Sequence, residues 1–230
     1  MTSESEEKAP RTNLPQNIDA WRVFRILSEF VDGFEKMTSL GPSVVLFGSA
    51  QVIENDPYYK LTLELAYKIA KKGFAITTGG GPGLMEAANH GAKLAGGRSC
   101  GLCIDLPDEE EANSYIDRKY LLKFRYFFVR KVMFVRYAQA FVAVPGGFGT
   151  VDELFEALTL IQTGKVKRFP IYLVGKSYWK GLLDWLEKTM VGNQRIPREA
   201  LNLVHVTDDL DEVANGIQAH YEKVKSFENF

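Results

Sequence analysis

The chain of 230 residues has only two cysteines and three histidines. Two cysteines cannot build a disulfide framework, and His90, His205 and His220 are too scattered for a metal cluster. The cysteines stand together in Cys100-Gly101-Leu102-Cys103, a spacing shared by redox pairs and half zinc sites. No second such pair exists. The segment 99–104 reads as a strand, where positions three apart point to opposite faces, so both read as small buried residues. No apolar run approaches the length of a membrane span. The opening MTSESEEKAPR lacks the charged-then-apolar pattern of a secretory signal, so a cytoplasmic location is expected. Positive charge is not in excess: 28 Lys and Arg face 29 Asp and Glu, which argues against nucleic acid as a partner. No internal repeat and no linker is visible.

What is present is a repeating pattern. Residues 1–16 are polar, hold two prolines and read as a flexible tail. Residues 17–39 place Ile18, Trp21, Phe24, Leu27, Val31 and Phe34 at helical spacing, with Gly41-Pro42 as a stop. Short apolar runs then alternate with amphipathic helices. Strands are predicted at 44–47, 74–77, 99–104, 120–124, 140–144, 170–174 and 203–206. Helices are predicted at 57–72, 84–95, 126–137, 151–163, 178–190 and 208–224. This is the signature of an α/β, Rossmann-like, doubly wound parallel sheet of about seven strands with helices on both faces. Residues 17–230 are read as one such domain. Ligands of these sheets bind beyond the carboxyl ends of the strands, and three predicted strands end there in small residues: Gly48-Ser49, Gly79 to Gly83, and Gly146 to Gly149.

Gly146-Gly147-Phe148-Gly149-Thr150 leads from a strand into a helix, an arrangement that presents backbone N–H groups to an anion. Plain turn glycines are the alternative. No Gly-Lys-Ser/Thr follows, so this is not a Walker loop. The turn from Gly79 departs from the dinucleotide fingerprint, with leucine at its last glycine position, although Asp105 stands where a ribose-binding acid would. Thr150-x-x-Glu153 reads, taken alone, as a capping box. Glu86 reads as an acid in the first turn of its helix. Arg130 lies in a stripe with Tyr126, Met133, Phe134 and Tyr137, where it either snorkels or pairs with a buried anion. Lys131 and Arg136 beside it read as surface charge.

Arg130-Lys131 followed by Pro145-Gly146-Gly147-Phe148-Gly149-Thr150-Val151-Asp152-Glu153 resembles the signature of the Lonely Guy (LOG) family, an Arg-Lys pair and then PGGxGTxxE. Gly79 to Glu86 resembles the family's other glycine turn, one residue shorter than its plant form. The long N-terminal helix is similar to the family's longer bacterial branch. Members are often labelled lysine decarboxylases, but no pyridoxal-phosphate site is visible. The resemblance covers residues 43 to 206 and implies a phosphoribohydrolase. Such an enzyme releases the free base and ribose 5-phosphate from a nucleoside 5′-monophosphate, notably N6-prenylated AMP, with AMP itself a further candidate. It implies Arg130 and Glu153 as the catalytic pair. Gly147, Gly149 and Thr150 would hold the phosphate. Ser49, Gly80, Gly81, Gly83, Met85, Glu86, Lys131, Gly146, Phe148 and Thr159 complete the implied substrate-binding set. One of Glu109, Glu110 and Glu111 would supply a further acidic contact, and Met85, Tyr126 or Met133 would meet the base. Arg130 is expected to keep Glu153 ionised. No metal or cofactor is implied. Members assemble at least as dimers, so a homodimer or higher homo-oligomer is expected. A non-catalytic nucleotide or molybdenum-cofactor carrier of related fold is the alternative, and a dinucleotide oxidoreductase a third reading.

Overall fold

The computed structural model describes residues 18–105, 111–224 and 229. The expected tail and the candidates Glu109 and Glu110 lie outside them. Helix α1 (Ile18–Leu40) precedes an alternating series: β1 (Ser43–Phe47), α2 (Pro57–Lys71), β2 (Ala75–Thr78), α3 (Leu84–Leu94), β3 (Ser99–Ile104), β4 (Leu121–Phe124), α4 (Phe127–Tyr137), β5 (Ala138–Ala143), α5 (Phe148–Gln162), β6 (Ile171–Val174), α6 (Lys176–Trp185), β7 (Val204–Thr207) and α7 (Leu210–Val224). The seven strands form one sheet in the order β4-β3-β2-β1-β5-β6-β7, every neighbouring pair parallel. The strand order reverses between β1 and β5, and this is the switch point at which a crevice opens.

The strands are apolar on both faces because both faces are covered. Within β1, Val45 and Phe47 belong to one core with α1, α4 and α5, while Val44 and Leu46 belong to the other with α2, α3 and α7. In the first core, Phe47 packs edge-on against Phe134 and Phe141, each at 5.1 Å between centroids. Local signals set the helix ends. Asp56 caps α2 by accepting from the Tyr58 amide at 2.7 Å, and Pro57 takes the first position, where its missing N–H is harmless.

Helix α5 departs from the sequence reading. It begins at Phe148 rather than Val151, with Gly147 as N-cap. The Gly147 carbonyl accepts from Thr150 and Val151, both at 3.1 Å. Thr150 is therefore already inside the first turn, and Glu153 lies nearly two turns in. The capping-box reading of Thr150 and Glu153 fails for this reason.

Candidate active site

Three strand-end turns meet on one rim. The Ser49 amide donates to the Pro145 carbonyl at 3.0 Å, and the Ser49 carbonyl accepts from the Leu84 amide at 2.9 Å. Gly83 makes this junction possible. Its φ is +68°, and a Cβ there would stand 2.5 Å from the Ser49 oxygen. Asn113 holds the same turn from outside, its side-chain amide donating to the carbonyls of Gly80 at 3.1 Å and Gly81 at 3.0 Å. Asn113 also donates to the Oδ1 of buried Asn89, which in turn bonds Ser99 and the Cys100 carbonyl. The glycine turn is thereby tied to β3 and α3.

These turns border a cleft of about 1020 Å³. Ser49, Gly80, Gly81, Gly83, Met85, Glu86, Arg130, Gly147, Gly149, Thr150 and Glu153 all line it. Four residues of the implied set do not. Gly146 is buried and its carbonyl accepts from the Tyr178 hydroxyl at 2.6 Å. Phe148 is 96% exposed. Thr159 is exposed farther along α5, its hydroxyl donating to the Phe155 carbonyl. Lys131 faces the acids of α5. Of the base-contact candidates, Met85 is in the cleft. Met133 is buried in the core, and Tyr126 packs against that core. Glu111 is exposed.

Gly147 and Gly149 differ from Gly83. Neither has a positive φ, and a Cβ on either would meet nothing within 4 Å in this chain. Neither the backbone nor the packing requires glycine there. The bare backbone faces open space at a helix N-terminus, the setting in which N–H groups meet an anion.

Arg130 and Glu153 come together as the sequence suggested. The Arg130 guanidinium lies 5.0 Å from the Phe127 ring centroid and 5.7 Å from that of Phe134, and 4.0 Å from Glu153 Oε1. An arginine in an apolar stripe is thus explained by a buried anion. Lys131 is no surface charge: its ammonium is 3.5 Å from the same Oε1, 2.7 Å from Asp152 and 2.8 Å from Glu156. Burial alone would lower the Lys131 pKa, but the hydrogen bonds to Asp152 and Glu156 outweigh it, and the pKa is raised. Arg136, also expected at the surface, lies over the rings of Phe34 and Tyr137.

The Glu153 carboxylate is 4% exposed. Burial pushes its pKa up to about 7, against the opposing pull of Lys131 and Arg130. Desolvation wins over the two cations. The expectation that Arg130 keeps Glu153 ionised is corrected accordingly: burial favours its protonated form well above the ordinary carboxylate range.

Sequence reasoning passed over Asn89, Asn113, Tyr59, Phe127 and Lys123, the last three of which also line the cleft. Burial, and then the charge of Glu86, push the Tyr59 phenol up to about 12, so it remains a donor. Asn89 left a signal, since asparagine inside a helix normally competes for the backbone unless its side chain is tied elsewhere. The two cysteines face apart as predicted. Cys100 lies in the core near Met37, and Cys103 borders the cleft under Gly80. Among the described residues no group of three or more His, Cys, Asp or Glu is placed to hold a metal, and no helix is long and apolar enough to cross a membrane.

Residues 85–217 match the family described as "Possible lysine decarboxylase". A cytokinin riboside 5′-monophosphate phosphoribohydrolase of Mycobacterium marinum is 29% identical over 161 residues, covering 68% of this chain and 85% of that protein. One from Arabidopsis thaliana is 26% identical over 160 residues, covering 68% and 72%. Among solved structures, the molybdenum cofactor carrier protein of Chlamydomonas reinhardtii superposes with a TM-score of 0.54 at 23% identity, covering 79% of this chain and 99% of that one. That likeness bears on the fold alone. The chain belongs to the LOG family, whose members carry the lysine-decarboxylase label.

Proposed function

We propose that this LOG-family chain is a phosphoribohydrolase that cleaves the N-glycosidic bond of nucleoside 5′-monophosphates, with cytokinin nucleotides such as N6-isopentenyl-AMP, and AMP, as substrates. The observation that carries the reading is the meeting of buried Glu153 and Arg130 beside a glycine turn whose Cα positions face open space. The 5′-phosphate takes the first N–H groups of α5 and the Thr150 hydroxyl. Ribose then extends along the rim towards Glu153.

Water adds across the glycosidic bond, giving free base and ribose 5-phosphate. The sugar passes through an oxocarbenium-like state whose positive charge the Glu153 carboxylate stabilises. The same group takes the proton of the attacking water. Only one carboxylate is needed, unlike the paired acids of glycosidases. A pKa near 7 suits a group that must accept a proton at neutral pH and give it up again. Arg130 offsets the joint negative charge of phosphate and glutamate.

A carrier gives Glu153 no task. A buried acid whose ionised form is disfavoured by burial is a burden in a protein that only binds. The proposal includes a cytoplasmic location and a homo-oligomer. Supporting the latter, Trp21, Phe24, Leu27 and Val31 are all more than half exposed on α1, with Phe127 and Phe128 nearly half exposed on α4.

Chromatographic assay of the purified protein with AMP and with N6-isopentenyl-AMP tests the reading. Release of adenine or its N6-substituted form by wild type but not by Glu153→Gln is expected. Binding of either nucleotide with no release from both would favour the carrier.

A further inference from the structure

Helix α4 delivers Arg130 and Lys131 to Glu153, so its placement sets the geometry of the whole charge cluster. Neither end of α4 is capped by its own side chains. The N-cap, Tyr126, makes no side-chain cap bond, and the helix runs directly into β5 through Ala138. A helix leaves N–H groups without partners at its start and carbonyls at its end, and both need partners when buried.

Both ends are met by residues from outside 85–217, the stretch that matches the family. At the start, the carboxylate of Glu29 on α1 accepts from the Arg125 amide at 3.0 Å and from the Tyr126 amide at 3.4 Å. A negative charge there also suits the positive end of the helix dipole. At the far end, the Asn229 side-chain amide donates to the carbonyls of Val135 at 2.6 Å and Ala138 at 2.7 Å. The Asn229 backbone amide donates to the Arg136 carbonyl at 2.9 Å, and its own carbonyl accepts from Lys167 at 3.1 Å. Between the two ends α1 nests directly on α4. A Cβ on Gly33 would stand 2.7 Å from the Met133 methyl, and Arg136 lies over the Phe34 ring at 5.4 Å.

We propose that Glu29 and Asn229 are positioning residues that clamp α4 at its two ends and so fix the approach of Arg130 and Lys131 to Glu153. The catalytic consequence rests on the phosphoribohydrolase reading; the clamp itself does not. The two amides that Glu29 holds, on Arg125 and Tyr126, lie about one helical turn before Arg130, so its loss frees the turn that carries the arginine. Asn229 binds the last turn, and its loss lets α4 shift against β5, the strand that leads to the glycine turn. Residues within 85–217 supply the reacting groups, and Glu29 and Asn229 from outside that stretch hold the helix that presents them.

The test uses the full chain with Glu29→Ala, Asn229→Ala and the conservative Glu29→Gln, which retains an acceptor oxygen. Asp211→Ala is the control, since it removes a surface pair with Lys68 that lies on α2 and α7. Amide hydrogen exchange along α4 and the NMR titration of the Glu153 carboxyl are read on the protein without nucleotide. Turnover of AMP or N6-isopentenyl-AMP is read separately. Glu29→Ala is expected to speed exchange in the first turn of α4, and Asn229→Ala in the last, each roughly tenfold. Both should raise the Glu153 midpoint as the cations drift away. They should also lower kcat roughly tenfold with KM nearly unchanged, because sub-ångström misplacement acts on the reacting geometry. Glu29→Gln should recover most of each effect. Unchanged exchange and an unchanged Glu153 midpoint in both alanine variants overturn the clamp, as does an equal change in Asp211→Ala. If no variant and no wild type releases base, the phosphoribohydrolase reading falls while the exchange and titration still decide the clamp.

Discussion

Glu153→Gln should leave a protein that binds nucleotide, turns it over about a thousandfold more slowly and is more stable than the parent. The three effects come from one side chain. Gln keeps the shape but cannot take a proton from water or meet an oxocarbenium with full negative charge. Loss of one such group typically removes 10²–10⁴-fold, so a fall in kcat of about 10³ is expected. The stability gain follows from the raised pKa. Between the ordinary value of 4.5 and the folded value of about 7, the folded chain holds a proton at Glu153 that the unfolded chain has released. Stability therefore falls as pH rises through that window. A neutral isostere escapes the penalty, gaining less than about 1 kcal/mol near pH 5 and about 3 kcal/mol near pH 8. At this chain length that is a rise of roughly 6–12 °C in Tm at the higher pH. Differential scanning fluorimetry at both pH values, isothermal titration with AMP and a base-release assay read the three effects on one preparation. A Tm at about pH 8 equal to or below wild type would refute the burial argument. A rate within tenfold of wild type would refute the catalytic one.

Three further outcomes follow from the same geometry. Wild-type kcat/KM should climb about tenfold per pH unit below the Glu153 midpoint and level off above about 7, since the ionised form is the base; Arg130→Ala removes an opposing cation and should move that limb to higher pH while lowering kcat about 10²-fold, and a limb that stays in place would count against the pair. Gly147→Ala should weaken nucleotide binding at unchanged Tm, because its methyl meets nothing in the chain, whereas Gly83→Ala should lose about 2 kcal/mol or more through a positive φ and a 2.5 Å approach to the Ser49 oxygen; equal Tm losses in the two would erase the distinction. Light scattering after size exclusion should give at least a dimer, and Trp21→Ser with Phe24→Ser should reduce the assembly if the exposed stripe of α1 is where copies meet.

The strands were legible because a parallel sheet covered on both faces needs continuous apolar runs, and Val44 to Phe47 or Phe141 to Val144 can be little else. The helix stops were legible where Gly41, Gly73 and Gly96 punctuate the chain, and these three glycines adopt positive φ. The start of α5 was not. Thr150 and Glu153 match a cap pattern, but the actual cap is Gly147, which has no side chain to announce the role. Asn113 was equally silent, because its partners Gly80, Gly81 and Asn89 are more than twenty residues away and local rules do not reach them.

The depth of Glu153 was nevertheless written in the pattern. Thr150, Glu153, Leu154, Ala157 and Ile161 are the buried face of α5 and recur at helical spacing. An acid set in such a stripe poses the same question as Arg130 set in its own stripe on α4. Two charges of opposite sign, each on an apolar helix face and in neighbouring elements of a parallel sheet, answer one another, because burying either alone would leave an uncompensated ion. What periodicity does not encode is distance. A contact of 4.0 Å rather than a tight pair, with Lys131 sharing the same oxygen, leaves the carboxylate poorly compensated. That incomplete pairing lets burial dominate the Glu153 pKa, and it is what the proposed reaction needs, a glutamate that accepts a proton rather than half of a structural salt bridge.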